Sequence, residues 1–295
     1  MARATPEQYE SWIKLATRAS IAVATLLIIT KLMAWLMSGS ASLLGSLTDS
    51  LMDAAASLIN FYALRVALRP ADDHHRWGHG KAEPLATLVQ AGFILGSALL
   101  LLFAGTERLI SPVPPSATGW GVGVSIFAIV ATLALLTIQK KAVAATGSTA
   151  IAADALHYRS DLLMNVAVII ALIMAAYGFW WVDGAAAVGI AFYIGFGAWG
   201  LGKEAVNLLL DREADAEVQQ QVQALILADD NVLGLHDFRT RMAGNTLFVQ
   251  MHIDLDSNLS LLKAHDIAHA VEDRIQSQFP GADVIVHQDP HTVEA

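Results

Sequence analysis

The stretch GSLTDSLMDAAASL, residues 45–58, combines a helical composition with two acidic side chains. Long apolar runs lie on both sides of it, so the stretch is predicted to be part of a membrane-spanning helix. Asp49 and Asp53 are four residues apart, which on a helix places their Cβ atoms about 5–6 Å apart on one face. Each carboxylate costs roughly 2.5–3.5 kcal/mol at the centre of a membrane helix. The pair therefore indicates a bound cation that compensates for the charge.

The composition indicates a membrane domain followed by an acidic soluble tail. Of the 295 residues, 55% are hydrophobic and 15% are charged, whereas soluble domains carry about 25% charged residues. Residues 1–207 hold 13 Lys/Arg against 12 Asp/Glu, and residues 208–295 hold 5 against 15, so the net charge of −9 belongs to the tail. The sequence has no basic patch for nucleic acid, and without cysteine it has no disulfide or thiolate metal site.

Six stretches are long enough to cross a bilayer, which takes about 20 apolar residues each. We predict spans near 13–37, 41–68, 85–110, 119–139, 149–178 and 181–207. Lys and Arg concentrate at the N-terminus, in the second and fourth loops and after the sixth span, whereas the first and fifth loops contain none. By the positive-inside rule, both termini are expected to be cytoplasmic.

The segment 208–295 is predicted to form a small α+β domain behind the helical membrane domain, 1–207. We expect a helix over 215–228, strands over 233–242 and 246–256, a helix over 260–278 and a strand over 282–288. In LFVQMHIDLD, residues 247–256, apolar residues alternate with the others, which predicts a strand with one buried face and places Phe248 on the opposite face. At about 80 residues, this domain lies near the lower size at which a core is stable alone.

A second pair of polar residues lies in the fifth span. In DALHYRSDLL, residues 154–163, His157 and Asp161 are again four residues apart. Two helices that each provide such a pair can enclose one tetrahedral ion with three carboxylates and one imidazole. We therefore predict a metal site formed by Asp49, Asp53, His157 and Asp161, with separate polar contacts or helix-end features as the alternative.

Seven segments carry a resemblance to the cation diffusion facilitator family, which extends over almost the whole chain: ATRAS, GSLTDS, RWGHGKAEPLA, ALHYRSD, LLDR, VLGLHDFRTR and VIVHQDP. The resemblance implies a homodimeric transporter, not an enzyme, with six transmembrane helices and a metallochaperone-like α+β cytoplasmic domain. It implies export of divalent zinc, with cadmium or iron as further ions, across the bacterial inner (plasma) membrane in exchange for protons. The predicted intramembrane metal site becomes its transport site.

The resemblance implies two further zinc sites. One lies in the second loop, DDHHRWGH, residues 72–79, and consists of Asp72, His75 and His79. Carboxylate and imidazole ligands at this short spacing suit zinc, although Asp73 or His74 could replace one of them. The other is a binuclear site in the tail, for which the implied ligands are His236, His252, His265, His287 and Asp289. A solvated polar loop and ordinary surface histidines are the respective alternatives.

Proton exchange has a physical reason, because carboxylates and a neutral imidazole can hold either metal or protons. His157 is a natural proton carrier, since imidazole titrates near neutral pH. An iron or manganese exporter of the same fold is the closest alternative, and a non-transporting metal sensor or a channel is the alternative from another class.

Two other features receive no functional role. GAWGLGK, residues 197–203, imitates a phosphate-binding loop, but Glu204 stands where Ser or Thr would hold magnesium, so ATP is not expected. Lys31, near the outer end of the first span, is expected to extend its ammonium group towards the membrane surface.

Overall fold

Six long helices precede a small sheet. The structure is a computed structural model that describes residues 5–39, 41–111 and 119–291, so most of the predicted third loop, 111–119, lies outside the described residues. The long helices are α1 (Pro6–Ser38), α2 (Ala41–Ala67), α3 (Ala82–Ile110), α4 (Gly119–Thr146), α5 (Thr149–Ala176) and α6 (Trp181–Leu209).

Five of these helices (α1, α3, α4, α5 and α6) are long and apolar enough to cross a membrane. The helix α2 forms over the predicted range but is not among them. Its apolar residues are interrupted by Asp49, Asp53 and several serines, which lower its mean hydropathy. Length and composition therefore support five of the six predicted spans.

Local signals set the helix ends and the helix packing. The Thr5 side chain accepts a hydrogen bond from the backbone N–H of Gln8 at the start of α1, and the Ser148 side chain caps α5 in the same way. The helices α3 and α6 approach each other closely, because a Cβ on Gly184 would lie 2.8 Å from the carbonyl oxygen of Gly105. Only glycine fits at that contact.

The tail forms a three-stranded sheet with two helices. Its elements are α7 (Ala216–Ile226), β1 (Gly234–Ala243), β2 (Thr246–Asp256), α8 (Leu261–Gln278) and β3 (Asp283–His291). The central strand β2 pairs antiparallel with β1 and parallel with β3. All five predicted elements of the tail are present, with ends within a few residues of the prediction.

The strand β2 has the predicted buried face. Its inward residues, at most 3% exposed, pack with α7 and α8 and are Leu247, Val249, Met251, Ile253 and Leu255. The prediction for Phe248 was incomplete, because this side chain on the opposite face is also buried. Its ring meets the Trp77 ring edge-on at 5.7 Å and the Arg241 guanidinium at 4.0 Å. The loop between α2 and α3 therefore covers part of the sheet.

That loop lies close against the β1–β2 hairpin. A Cβ on Gly80 would lie 2.4 Å from the carbonyl oxygen of Ala243, so the two backbones are in direct contact. Next to it, Lys81 Nζ lies 2.9 Å from Asp211 Oδ1, just beyond the end of α6. The loop thus connects the helical part of the chain to the tail at several points.

The buried core of the tail predicts which substitutions lower the free energy of unfolding. We expect segment 208–295 to fold alone and Ile253→Ala, at a fully buried position, to lower its free energy of unfolding by about 2–5 kcal/mol through the cavity that remains. Urea unfolding followed by circular dichroism measures this change. The matched control is Ile285→Ala, at a position 46% exposed, which should cost less than about 1 kcal/mol. Equal losses in the two variants would contradict the assigned core.

Candidate metal centres

Three side chains from α2 and α5 form a group that we call the transport cluster, after the transport site that the sequence predicts: Asp53, His157 and Asp161. Their ligand atoms all lie within 4.8 Å of one another. His157 Nε2 is 2.9 Å from Asp53 Oδ1 and 3.8 Å from Asp161 Oδ2. Although close to both carboxylates, this buried nitrogen has no aligned hydrogen-bond partner among the described residues. The arrangement suits three ligands that face a common cation.

Asp49, the fourth predicted ligand, lies one helical turn from Asp53 on α2. Its side chain is exposed and does not belong to the transport cluster in this structure. The structure therefore brings together three of the four predicted ligands.

Sequence reasoning missed Asp154, although this residue opens the motif in the fifth span. It is fully enclosed and accepts hydrogen bonds from one side chain on each of four other helices. We call this group the Asp154 network; the donor-to-carboxylate distances are 2.7 Å from Ser20 Oγ, 3.4 Å from Ser57 Oγ, 3.4 Å from Gln90 Nε2 and 2.8 Å from Gln139 Nε2. The signal was an acidic residue in an apolar span. The network connects the five helices α1 through α5, and it lies about one helical turn from His157.

Lys31 differs from its prediction. Instead of extending towards the membrane surface, its ammonium group donates to the carbonyl oxygen of Ser46 at 3.1 Å and to Ser50 Oγ at 2.5 Å. Both acceptors lie on the face of α2 that carries Asp49 and Asp53, and the ammonium interacts electrostatically with these two carboxylates. A positive charge therefore stands beside the transport cluster.

The loop between α2 and α3 contains a second group, the loop cluster, formed by Asp72, His75 and His79. His75 Nδ1 lies 3.2 Å from Asp72 Oδ1, and His79 Nε2 lies 3.4 Å from Asp72 Oδ2. Backbone N–H groups of the loop, chiefly that of His75, donate to Asp72 and hold the pKa of its carboxyl below the ordinary value. The three residue types and their convergence suit zinc.

The two alternative ligands of this loop lie outside the loop cluster. Asp73 pairs with Arg76 at 3.2 Å, and His74 is not part of the loop cluster. His79 Nδ1 lies 3.1 Å from the carbonyl oxygen of Pro70. A hydrogen bond donated by Nδ1 leaves Nε2, which faces Asp72, free to bind a metal.

A third group, the tail cluster, consists of His236, His252 and Asp289. Asp289 Oδ2 lies 2.8 Å from His252 Nδ1 and 3.2 Å from His236 Nε2. His287 joins from the other side, with Nε2 3.3 Å from Asp289 Oδ1. The hydrogen bond from His252, followed by the charges of the neighbouring histidines, lowers the pKa of the Asp289 carboxyl.

Strand register explains the tail cluster. His252 on β2 is paired with His236 on β1 and with His287 on β3, so the three imidazoles cross the sheet in one row. Asp254, which the sequence reasoning missed, approaches His236 Nδ1 at 3.5 Å. The predicted ligand His265 lies instead on α8, where its ring meets that of His269 at 5.9 Å, and the structure does not bring it into the cluster.

Two family profiles match this chain, one over the helical part and the next over the tail. The family profile described as the cation efflux transmembrane domain matches residues 17–210. The profile described as the cation efflux protein, cytoplasmic domain, matches residues 214–291.

Individual relatives match over nearly their whole length. The cation-efflux pump FieF of Shewanella oneidensis is 56% identical over 287 residues, which cover 97% of each chain. The FieF pump of Yersinia pestis is 46% identical over 286 residues, covering 97% of this chain and 95% of the relative. Among solved structures, the metal-bound C-terminal domain of the CzcD transporter from Thermotoga maritima is 25% identical and covers 26% of this chain and 93% of that chain. Its TM-score of 0.25 is too low to support an argument.

The lowered pKa of Asp289 predicts how metal-free stability depends on pH. A carboxyl with a lowered pKa stabilises the fold above its ordinary pKa of about 3.9, and this contribution is lost as the pH falls through the folded value. Asp289→Asn removes the contribution, so segment 208–295 with a chelator should be less stable than the parent above about pH 4 and should lose less on further acidification. Urea midpoints across this range measure the effect.

The control for this prediction is Asp266→Asn, an exposed carboxylate on α8. It should follow the parent profile. If Asp289→Asn and the parent lose stability in parallel below pH 4, the hydrogen bond between His252 and Asp289 does not stabilise the tail.

Proposed function

The chain belongs to the cation efflux family, whose members are metal-exporting membrane pumps, and from this premise we propose that it exports divalent zinc from the cytoplasm in exchange for protons. The proposed transport site consists of the transport cluster with Asp49 as fourth ligand. Cadmium and iron are the further ions that this site would accept.

One observation supports the proposal most directly. His157 Nε2 is buried and lies 2.9 Å from Asp53 Oδ1 and 3.8 Å from Asp161 Oδ2, so one imidazole nitrogen and two carboxylates from two helices converge. In apolar surroundings, such a group of ligand atoms is stable when a cation compensates for the carboxylates. Imidazole together with carboxylate oxygens is a ligand set that suits zinc.

Proton exchange follows from the same ligands. Zinc binds deprotonated carboxylates and a neutral imidazole, so metal binding releases protons and protonation releases metal. A site that opens alternately to the two sides of the membrane then exchanges one for the other without ATP. His157 is the proposed proton carrier within the cluster.

The proposed topology has six spans, with α2 as the sixth. Although polar on one face, α2 exposes large apolar side chains on its other faces, among them Leu51, Met52 and Leu58. Basic residues in the loops favour cytoplasmic termini in the bacterial inner membrane. We propose the domain boundary after residue 207, a homodimer, and a cytoplasmic location for the tail.

The loop and tail clusters are proposed zinc sites of a regulatory kind. His75, His79 and Asp72 would hold one ion in the loop. His236, His252, His287 and Asp289 would hold the ion or ions of the tail. Because the loop contacts the β1–β2 hairpin, zinc in these clusters would act on the connection between membrane domain and tail.

Metal flux in proteoliposomes tests the proposed function. The purified chain is reconstituted, and the uptake of zinc, iron and manganese is followed with and without an imposed pH gradient. Zinc uptake that accelerates with the gradient is the expected result. A preference for iron or manganese would identify a different cargo, flux that ignores the gradient would indicate a channel, and binding without flux would indicate a sensor.

Asp53→Ala should abolish zinc transport while the folded dimer persists. The change removes a ligand and relieves repulsion between carboxylates. We expect a loss of at least about 100-fold, since even residues that only orient metal ligands cost about 10–100-fold when replaced. The control is Glu107→Ala, which removes an exposed carboxylate from the end of α3. Native zinc flux in Asp53→Ala would exclude the proposed transport site.

His157→Asp should change which metal is moved. Four carboxylates form a harder, all-oxygen site that favours manganese over zinc relative to the parent. The zinc-to-manganese flux ratio should therefore fall and the pH dependence should change, whereas His269→Asp on the exposed face of α8 should change neither. Fluxes of both ions at matched gradients measure the ratio. An unchanged ratio and pH profile would show that His157 does not bind the transported ion.

A further inference from the structure

Asp154 is a buried acidic side chain that the proposed transport site does not use. It is 3% exposed, and no Lys or Arg forms an ion pair with it in the described part of the chain. A buried carboxylate without a cationic partner is expensive in apolar surroundings unless it takes up a proton. Asp154 therefore needs a chemical explanation beyond helix packing.

The surroundings of Asp154 contain acceptors that lack donors. Gln90 Oε1, Gln139 Oε1 and Asn60 Oδ1 are buried and have no hydrogen-bond partner among the described residues. The amide nitrogens of Gln90 and Gln139 both donate to Asp154, so the oxygens of the same amides lie close to the carboxylate. Buried polar atoms are almost always satisfied, and a water molecule is the smallest donor that can do this.

Space for water is present at one edge of the Asp154 network. A half-open depression of about 10 Å³ lies beside Asn60 and Gln90, and the rest of its lining is apolar: Ala56, Ile59, Ala86, Val89 and Phe93. This is about the smallest volume that holds a water molecule. The network thus combines an uncompensated carboxylate with acceptor atoms that bind water or its protonated form.

The network lies on a defined side of the transport cluster. Asp154 precedes His157 by three residues on α5, a rise of roughly 4.5 Å towards the α4–α5 loop. Ser57 follows Asp53 by four residues on α2, a rise of roughly 6 Å towards the α2–α3 loop. In the proposed topology both loops are cytoplasmic. The network therefore lies between the transport cluster and the cytoplasm.

The groups that face Asp154 are neutral on four of the five helices around it. They are the hydroxyls of Ser20 and Ser57 and the amides of Gln90 and Gln139. On α5, the Tyr158 hydroxyl reaches Ser57 Oγ at 3.2 Å, and His157 acts on Asp154 through its charge. His157, three residues from Asp154 on α5, is thus the titratable residue that links Asp154 to the transport cluster.

We propose that the carboxylate of Asp154 is a proton-binding site between the transport cluster and the cytoplasm, through which displaced protons leave. When cytoplasmic metal displaces a proton from the cluster, a carboxylate oxygen of Asp154 accepts it and the group becomes neutral. Release of that proton to cytoplasmic water restores the carboxylate and its four hydrogen bonds. The inference rests on the proposed proton coupling.

The ligand is a proton and not a sodium ion because of the direction of the hydrogen bonds. Four side chains point N–H or O–H groups at the carboxylate. A metal cation placed there would meet the positive ends of these groups. A proton needs one carboxyl oxygen only, and the remaining oxygen retains its donors.

The test compares Asp154→Asn, Asp154→Glu and the parent as full-length proteins in proteoliposomes that contain a zinc dye and a pH dye. Zinc uptake at a fixed zinc gradient is measured with no further gradient, with a pH gradient and with a sodium gradient. We expect Asp154→Asn to carry zinc down its own gradient while the acceleration by the pH gradient and the accompanying proton flux are lost. Asp154→Glu should restore both.

Glu107→Gln is the matched control, because it removes an exposed carboxylate from α3 and should keep the response to the pH gradient. An Asp154→Asn variant with the parent's pH response would show that Asp154 only joins helices and would overturn the inference. A response to sodium that depends on Asp154 would overturn the assignment of the proton. A parent without any pH response would instead refute the proposed coupling, and the inference with it.

Infrared difference spectroscopy tests the inference if Asp154→Asn does not assemble. Adding zinc to the parent should change the carbonyl stretch of a protonated carboxyl group, and Asp154→Glu should shift that band. A zinc-induced spectrum that is identical in the parent and in Asp154→Glu would overturn the proposal.

Discussion

Negative charge inside apolar helices is the constraint on which the helical part of this structure depends. Lipid offers no compensation for a carboxylate, so each one needs partners from neighbouring helices or a bound cation. Asp53 and Asp161 converge on His157, while Asp154 collects donors from four helices. The hydrogen bonds to Asp154 form only when all five helices, α1 through α5, keep fixed positions relative to one another. The transport cluster is thereby placed on a framework that a shift of one helix would disrupt.

The α2–α3 loop places a second candidate metal cluster at the boundary between helices and tail. Trp77 packs on Phe248, Gly80 contacts Ala243, and Lys81 reaches Asp211. Trp77 lies between the candidate ligands His75 and His79 in sequence, so a metal bound there would stiffen the loop that touches the hairpin. The tail cluster lies across the sheet to which the hairpin belongs. A metal ion bound in either cluster would therefore affect the same contact, the one between the α2–α3 loop and the β1–β2 hairpin.

Sequence reasoning predicted features that depend on local spacing and missed those that depend on distant partners. The pair His157 and Asp161 and the buried alternation of β2 follow from helix and strand periodicity alone, and both have the expected geometry. Asp154 was missed and the prediction for Lys31 was wrong, because the roles of both residues depend on contacts with other helices. His265 was assigned by resemblance, and the position of α8 keeps it apart from the tail cluster.

The charges around the transport cluster also favour a divalent cargo. In the forms that bind metal, Asp49, Asp53 and Asp161 together contribute three negative charges, and His157, which binds as a neutral imidazole, contributes none. Lys31, held against α2 by Ser46 and Ser50, contributes one positive charge within electrostatic range of these carboxylates. A divalent ion brings the sum to zero, whereas a monovalent ion leaves one uncompensated negative charge in apolar surroundings. Because an uncompensated charge there is costly, the group as a whole is matched to an ion of charge two.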